Sequence, residues 1–258
     1  MTLPQIRVGT SGWDYWHWKG LFYPHDLPRS EWLRHYQAKF NTVELNASFY
    51  RSVRTSTFAR WREASPEGFL WAVKAHRAIT HLTRLREKDP LEKFLESVEG
   101  LGAGLGVILF QLPPSLKFES KPAQRFLGWL PEGKRYAVEP RHKSWLEEEP
   151  LELLAKHGVA LCIADSGGRF PSGEHVTADF VYLRFHGGER LYASRYAEEQ
   201  MRVWAEKLAA WEQPAFVYFN NDFHGYAVEN AVELKQAVAE LGSKAAARPR
   251  VKAKRAGK

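Results

Sequence analysis

Residues 136–165 read YAVEPRHKSWLEEEPLELLAKHGVALCIAD, and the fold is argued from them. Tyr136–Arg141 and Ala160–Asp165 are short apolar runs with little period-2 alternation, as expected of strands buried on both faces of a parallel sheet. Between them, Pro150–His157 carries a helical pattern. Pro150 suits a first turn, where a missing N–H costs nothing, and Gly158 suits a helix C-terminus. The stretch is one strand–helix–strand unit. On either side of it, similar runs lie at Ile6–Gly12, Thr42–Phe49, Phe69–His76, Gly106–Leu112, Phe180–His186 and Phe216–Asn221. Helical patterns fall at Ser30–Phe40, Thr57–Ala64, Pro90–Leu101, Lys121–Leu130, Tyr196–Trp211 and Ala227–Leu241. Eight strands alternating with helices predict an α/β fold, a single (β/α)8 TIM-type barrel over residues 1–243; an open doubly wound sheet is the alternative. One link lacks a helix: SGGRFPSGEHVTAD, residues 166–179.

The chain has 258 residues, 44% hydrophobic and 26% charged, enough for a sizeable core. Its one cysteine, Cys162, excludes an internal disulfide or a multi-cysteine zinc site and reads as a buried, inert thiol. No run approaches the ~20 apolar residues of a membrane span. MTLPQIRV carries no signal segment, so a cytoplasmic setting and no membrane partner are expected. Of the +7 net charge, seven positive charges sit in the last fifteen residues, and the rest is balanced. Residues 244–258 (KAAARPRVKAKRAGK) read as a basic, disordered tail, with weak, salt-sensitive nucleic-acid contact as its possible partner.

In such barrels the C-terminal strand ends build the site. Here they carry Glu44, Asn46, Lys74, His76, Gln111, Glu139, Arg141, Asp165, Arg184, His186, Asn220, Asn221 and Asp222. Glu44/Asn46, Lys74/His76, Glu139/Arg141 and Arg184/His186 are each two apart and share a strand face. Buried charges need partners, so these groups should form one ionic network, either a polar plug or a site. Its three cations oppose a divalent metal and favour an anion; no metal and no cofactor are expected. His186-Gly187-Gly188 allows close backbone approach by a phosphate or simply a tight turn. Six of the eleven residues Trp13–Tyr23 are aromatic, against 14% of the chain. They either wall a pocket for a base or sugar ring, with Trp13 a substrate contact, or form a satellite core. GLGAGLG at residues 100–106 precedes a strand, so it is no dinucleotide fingerprint, and GxxxxGK[ST], HExxH and GxSxG are missing.

Seven segments together resemble the YecE-like family, the domain of unknown function 72. They are GTSGWDYWHWKGLFYP (9–24), VELNASFYR (43–51), LWAVKAHRAITH (70–81), QLPPS (111–115), VEPRHKSW (138–145), LRFHGG (183–188) and YFNNDFHGYAVENA (218–231). The resemblance spans Ile6 to Leu241 and implies a TIM-type barrel, but no established chemistry. Its recurrent motifs fall on Trp13, Glu44, Asn46, Lys74, Gln111, Glu139, Arg141, His142, Arg184, His186, Asn220, Asn221 and Asp222. Pro140 lacks an N–H, so the ladder there should be interrupted. The expectation is an enzyme, hydrolase first, acting on a small anionic substrate that contains phosphate or sugar. Glu139 and Glu44 are the acid/base candidates and His186 a second proton carrier. Lys74, Arg141 and Arg184 would neutralise the anion; His76, Gln111, Asn46, Asn220, Asn221, Asp222 and Trp13 complete the substrate contacts. The alternatives are a nucleic-acid-binding protein or metal-dependent nuclease resembling endonuclease-IV-type barrels, and a non-catalytic ligand-binding barrel.

Overall fold

The computed structural model describes residues 3–247. Eight parallel strands run β1 Ile6–Thr10, β2 Thr42–Leu45, β3 Leu70–Lys74, β4 Leu105–Gln111, β5 Tyr136–Glu139, β6 Ala160–Asp165, β7 Val181–Phe185 and β8 Ala215–Phe219. Their order in the sheet is β1-β8-β7-β6-β5-β4-β3-β2, every neighbour parallel. That order is a barrel's. A doubly wound sheet would reverse direction midway.

The helices are α1 Trp32–Gln37, α2 Ala47–Tyr50, α3 Thr55–Glu63, α4 Asp89–Val98, α5 Ser120–Leu127, α6 Glu148–Lys156, α7 Glu198–Ala210 and α8 Tyr226–Ala247. In the β5–α6–β6 unit, Glu148 and Glu149 lie in the first helical turn, where carboxylates suit the helix dipole. Gly158 adopts φ 61° just past the helix end, the left-handed conformation that favours glycine. β5 stops at Glu139, because Pro140 has no N–H to extend the ladder. Between β6 and β7 there is no helix. Instead Thr177 caps β6 from outside: its hydroxyl accepts the Leu161 N–H at 2.7 Å and donates to the Val159 carbonyl at 2.7 Å.

Two boundaries differ from the sequence expectation. β2 ends at Leu45, and Asn46 is helical in backbone (φ −92°, ψ −19°), so Ser48 belongs to α2 rather than to a strand. Ser48 explains the break: its hydroxyl caps back to the Lys74 carbonyl at 2.7 Å, turning the chain over β3. Residues 244–247, assigned to the tail, continue α8; residues 248–258, the rest of that tail, lie outside the described residues.

Ala72, Val107, Leu109, Ala137, Ala160, Cys162, Phe180, Tyr182, Phe216 and Tyr218 fill the barrel interior. A larger apolar layer lies between the strands and the surrounding helices. β1 and β2 close the ring at a seam that side chains bridge. The buried Tyr36 hydroxyl accepts the Thr10 N–H at 2.9 Å and donates to the Thr42 carbonyl at 3.1 Å. The seam is tight: a Cβ on Gly9 would sit 2.3 Å from the Thr42 carbonyl oxygen.

Candidate active site

Above the apolar interior, the inward face of several strands turns polar at its last residues. Ala137 is followed two positions on by Glu139, Tyr182 by Arg184, and Ala72 by Lys74, so strand alternation alone stacks charge on the core. Arg184 is the hub. Its Nη1 donates to Glu139 Oε2 at 2.6 Å and its Nη2 to Glu44 Oε1 at 2.7 Å. Glu44 also accepts from the Ser11 hydroxyl at 2.7 Å and the Tyr182 hydroxyl at 2.6 Å. Glu139 Oε1 pairs with Arg141 Nη2 at 2.7 Å. Glu44, Glu139, Arg184 and His186 are all buried.

His186 Nε2 lies 2.8 Å from Glu139 Oε1, and Asn220 Nδ2 lies 3.2 Å from His186 Nδ1. One neutral tautomer satisfies both: Nε2–H donates to the carboxylate and Nδ1 accepts from the amide, while Arg141 Nη2, 3.2 Å from Nε2, donates to Glu139 Oε1 instead. Burial, seconded by Arg184 and Arg141 against the pull of Glu139, lowers the imidazole to about 4. Burial opposes the Glu139 carboxylate too, but Arg184, Arg141 and His186 outweigh it and hold the carboxyl well below its ordinary range.

Three cationic atoms are left over, the first being Arg184 Nε, which is buried with no hydrogen-bond partner. Arg141 Nη1 is buried with no hydrogen-bond partner, while the guanidinium lies 3.7 Å from the centroid of the Phe170 ring. Lys74 is 9% exposed, and its Nζ sits 4.1 Å from the Phe49 ring centroid. Among the described residues it makes no ion pair. Burial first, then Arg184 and Arg141, lower its ammonium to about 8 despite Glu139 and Glu44.

The network thus joins Glu44, Glu139, Arg141, Arg184, His186 and Asn220, with Lys74 beside it. The other candidates are elsewhere. Asn46 misses the parity of Glu44 because β2 ends before it; its Nδ2 reaches only the Ser11 carbonyl at 3.4 Å, and its Oδ1 is buried without a partner. His76 follows the end of β3, accepts the Ala78 N–H at 3.2 Å, and lines a separate cavity of about 500 Å³ between α3 and α4. Gln111 bonds the neighbouring Leu112 carbonyl. Asn221 faces outward to Ser194 and Asn230, both at 2.9 Å. Asp222 ties the first loop to β8, through Trp18 Nε1 at 2.7 Å and His17 Nε2 at 3.0 Å. Asp165 accepts the Gly167 N–H at 3.3 Å. His142 caps the next turn by accepting the Ser144 N–H at 3.2 Å.

Trp13 packs edge-on against Trp61 and Trp71, at 5.7 and 5.3 Å, and Tyr23 stacks on Trp32 at 4.7 Å. The aromatic loop is a satellite core; among its members Trp16 is well exposed. The Gly187 amide is already given to the Tyr196 hydroxyl at 2.9 Å, and a Cβ there would meet the Arg190 carbonyl oxygen at 2.5 Å. Those glycines make a tight turn, and the Gly187 N–H is not free for a phosphate.

Sequence reasoning missed Ser11, Tyr182 and Phe170. Tyr182 stands two residues before Arg184, so the parity rule already placed it on the network's face. Phe170 carries no such signal, since it lies in the helix-less link. All four oxygens of Glu44 and Glu139 are engaged by protein donors, so these two carboxylates anchor the arginines. The assignment of both as acid/base groups meets this geometry badly. Among the described residues no group of three or more His, Cys, Asp or Glu side chains could hold a metal ion, and no helix is long and apolar enough to cross a membrane.

The strand order and the buried ionic cluster define a (β/α)8 barrel protein with a charged mouth. The chain belongs to the DUF72 family: residues 7–255 match the model described as protein of unknown function DUF72. It is 28% identical over 239 residues to UPF0759 protein YecE of Escherichia coli K12, covering 83% of this chain and 84% of that one. UPF0759 protein YunF of Bacillus subtilis is 26% identical over 272 residues, 89% of this chain and 93% of the relative. A crystal structure of a DUF72 family protein from Thermotoga maritima superposes with TM-score 0.81 at 32% identity, covering 91% of this chain and 99% of that one.

Proposed function

We propose that this protein is an enzyme whose barrel mouth takes a small anionic substrate, one containing phosphate or a sugar acid. The observation that carries the reading is the unpartnered Arg141 Nη1, buried at the mouth beside the unpaired Lys74 ammonium. A buried guanidinium N–H without an acceptor is costly, and an anionic oxygen would satisfy it with a charge-assisted bond. Glu44 and Glu139 balance Arg184 and Arg141, which leaves Lys74 as the excess charge.

The acid/base duty moves with this geometry. Glu139 is held ionised and His186 is held neutral by their surroundings. Lys74, lowered to about 8, is poised to exchange a proton near neutral pH. Hydrolysis of a phosphate ester, with Lys74 as proton carrier, is the first reading of the chemistry. A second reading, nucleic-acid binding, is favoured by Trp16, Tyr50, Tyr192 and Phe223, exposed on the segments that follow the strands.

Inorganic phosphate in a thermal-shift titration tests the first reading. Binding to the folded state alone adds about 2.7 kcal/mol at a hundredfold excess over Kd. A phosphate-dependent rise in Tm that is lost in Arg141→Met is expected. No rise with phosphate or sugar phosphates, together with salt-dependent binding of an oligonucleotide, would transfer the site to the second reading.

A further inference from the structure

Lys74 has features that proton transfer alone does not require. Its amine stands at the C-terminal end of β3, beneath the mouth, 4.1 Å from the centroid of the Phe49 ring. His81, edge-on to that ring at 4.9 Å, is the titratable group on this side, and burial first, then Lys74, lower its imidazole. Four charged groups of the network face it: Arg184, Glu139, Glu44 and Arg141, from β7, β5, β2 and the segment after β5. The two carboxylates that could pair with it are bound to the arginines instead. A surface lysine would be hydrated or paired. This one lies against the Phe49 ring, faces two arginines and the two carboxylates they hold, and is 9% open to solvent.

We infer that Lys74 is a covalent nucleophile that forms a Schiff base with an anionic aldehyde or ketone, whose charged group is held by Arg141. A desolvated lysine beside other cations is a recurring way of making an amine nucleophilic. This inference rests on the anionic reading of the mouth and goes beyond hydrolysis in what Lys74 does. With its ammonium at about 8, about a tenth of the side chain is free amine at pH 7, against roughly three in ten thousand for an ordinary lysine. The lone pair of Nζ attacks the carbonyl carbon. The C–O π electrons pass to oxygen, which takes a proton, while nitrogen releases one. The resulting hydroxyl takes a further proton and leaves as water as the C=N bond forms. Amine, carbonyl and that one further proton become a protonated imine and water, no oxidant or reductant is needed, and solvent at the mouth relays the protons. The protonated imine withdraws electrons from the adjacent carbon. The reactions it serves are proton removal, carbon–carbon cleavage or dehydration next to the former carbonyl.

Borohydride trapping tests it. The full chain is mixed with substoichiometric glyoxylate or pyridoxal phosphate, reduced, digested and mapped by mass spectrometry. The two probes carry carboxylate and phosphate, so they separate the two sources of negative charge; acetaldehyde carries neither. The expected result is a reduced adduct on Lys74 ahead of the surface lysines, with either anionic probe better than acetaldehyde. Inorganic phosphate should suppress it. Lys74→Arg, which keeps the charge but cannot form an imine, should lose the adduct and keep the phosphate-dependent rise in Tm. Adducts spread over surface lysines with Lys74 untouched would overturn the inference. If phosphate still raised Tm in that case, the anionic mouth would stand without the nucleophile. Labelling of Lys74 indifferent to phosphate would keep the nucleophile and remove the anionic mouth.

Discussion

Lys74 holds a proton against its surroundings, and Glu139 holds a charge because of them; each makes a prediction with its own sign. Burial lowers the Lys74 ammonium from 10.5 to about 8. Below pH 8 the folded chain carries the full cost of that proton, and above 10.5 none of it. Lys74→Met is therefore expected to raise stability at pH 7 by up to about 3 kcal/mol, with the gain closing between pH 8 and 10.5. Urea midpoints of both proteins at pH 7 and pH 10 check this, and a lower midpoint for Lys74→Met at pH 7 would refute it. A stabilising loss of the mouth's amine is what a functional residue kept at the expense of stability predicts. Glu139→Ala acts the other way. It strands Arg141 and half of Arg184 in the interior, and breaking a buried pair costs ~3–5 kcal/mol. Equal urea midpoints for Glu139→Ala and parent would contradict the network.

Among the elements, the β1–β2 seam is the exposed point of the barrel's design. Elsewhere neighbouring strands share backbone ladders, but here one tyrosine from α1 bridges two strands. Tyr36→Phe keeps the ring in its aromatic cluster and leaves a buried N–H and C=O unmatched, at a cost of about 1–3 kcal/mol. Hydrogen exchange at the Thr10 amide should accelerate in that variant more than at β4 or β7. Uniform acceleration would mean the seam opens only with the whole fold. Gly9→Ala is expected to be worse, because the new methyl would meet backbone at 2.3 Å, and only strand separation relieves that. The same economy shows at the β6–β7 link. Its Gly- and Pro-containing stretch forms no helix, and Thr177 supplies from outside the hydrogen bonds that β6 needs.

Across the whole molecule, acid stability follows from the mouth. The folded His186 titrates at about 4 and the unfolded one near 6.5. As pH falls through that interval the unfolded chain binds a proton that the folded chain does not, so stability falls, by about 3 kcal/mol in all. Glu139, held below its ordinary range, adds a further loss once pH drops under about 4.5. Asp222 works in the opposite direction: burial raises its carboxyl to about 6, so the folded chain gains relative stability between 6 and 3.8. The difference between parent and His186→Gln isolates the first effect. Urea midpoints from pH 7 to 4 should fall more steeply in the parent, and parallel curves would show that His186 does not carry the acid limb.

The eight strands and most helices were legible in the chain, because strands buried on both faces are short apolar runs, and because Pro150 and Gly158 mark helix ends chemically. The core of the ionic network was legible for a related reason. Alternation puts Glu139 over Ala137 and Arg184 over Tyr182, and charges on a buried face must find each other. What parity could not supply was where each strand stops. His76, Asn46 and Asn221 left the network because β2 and β3 end before Asn46 and His76, and because Asn221 has the opposite parity to Asn220. Nor could spacing tell that both glutamates would spend every oxygen on protein donors. That decision belongs to the closed barrel, which brings β2, β5 and β7 together across its mouth and leaves Lys74, on β3, without an acid to pair with.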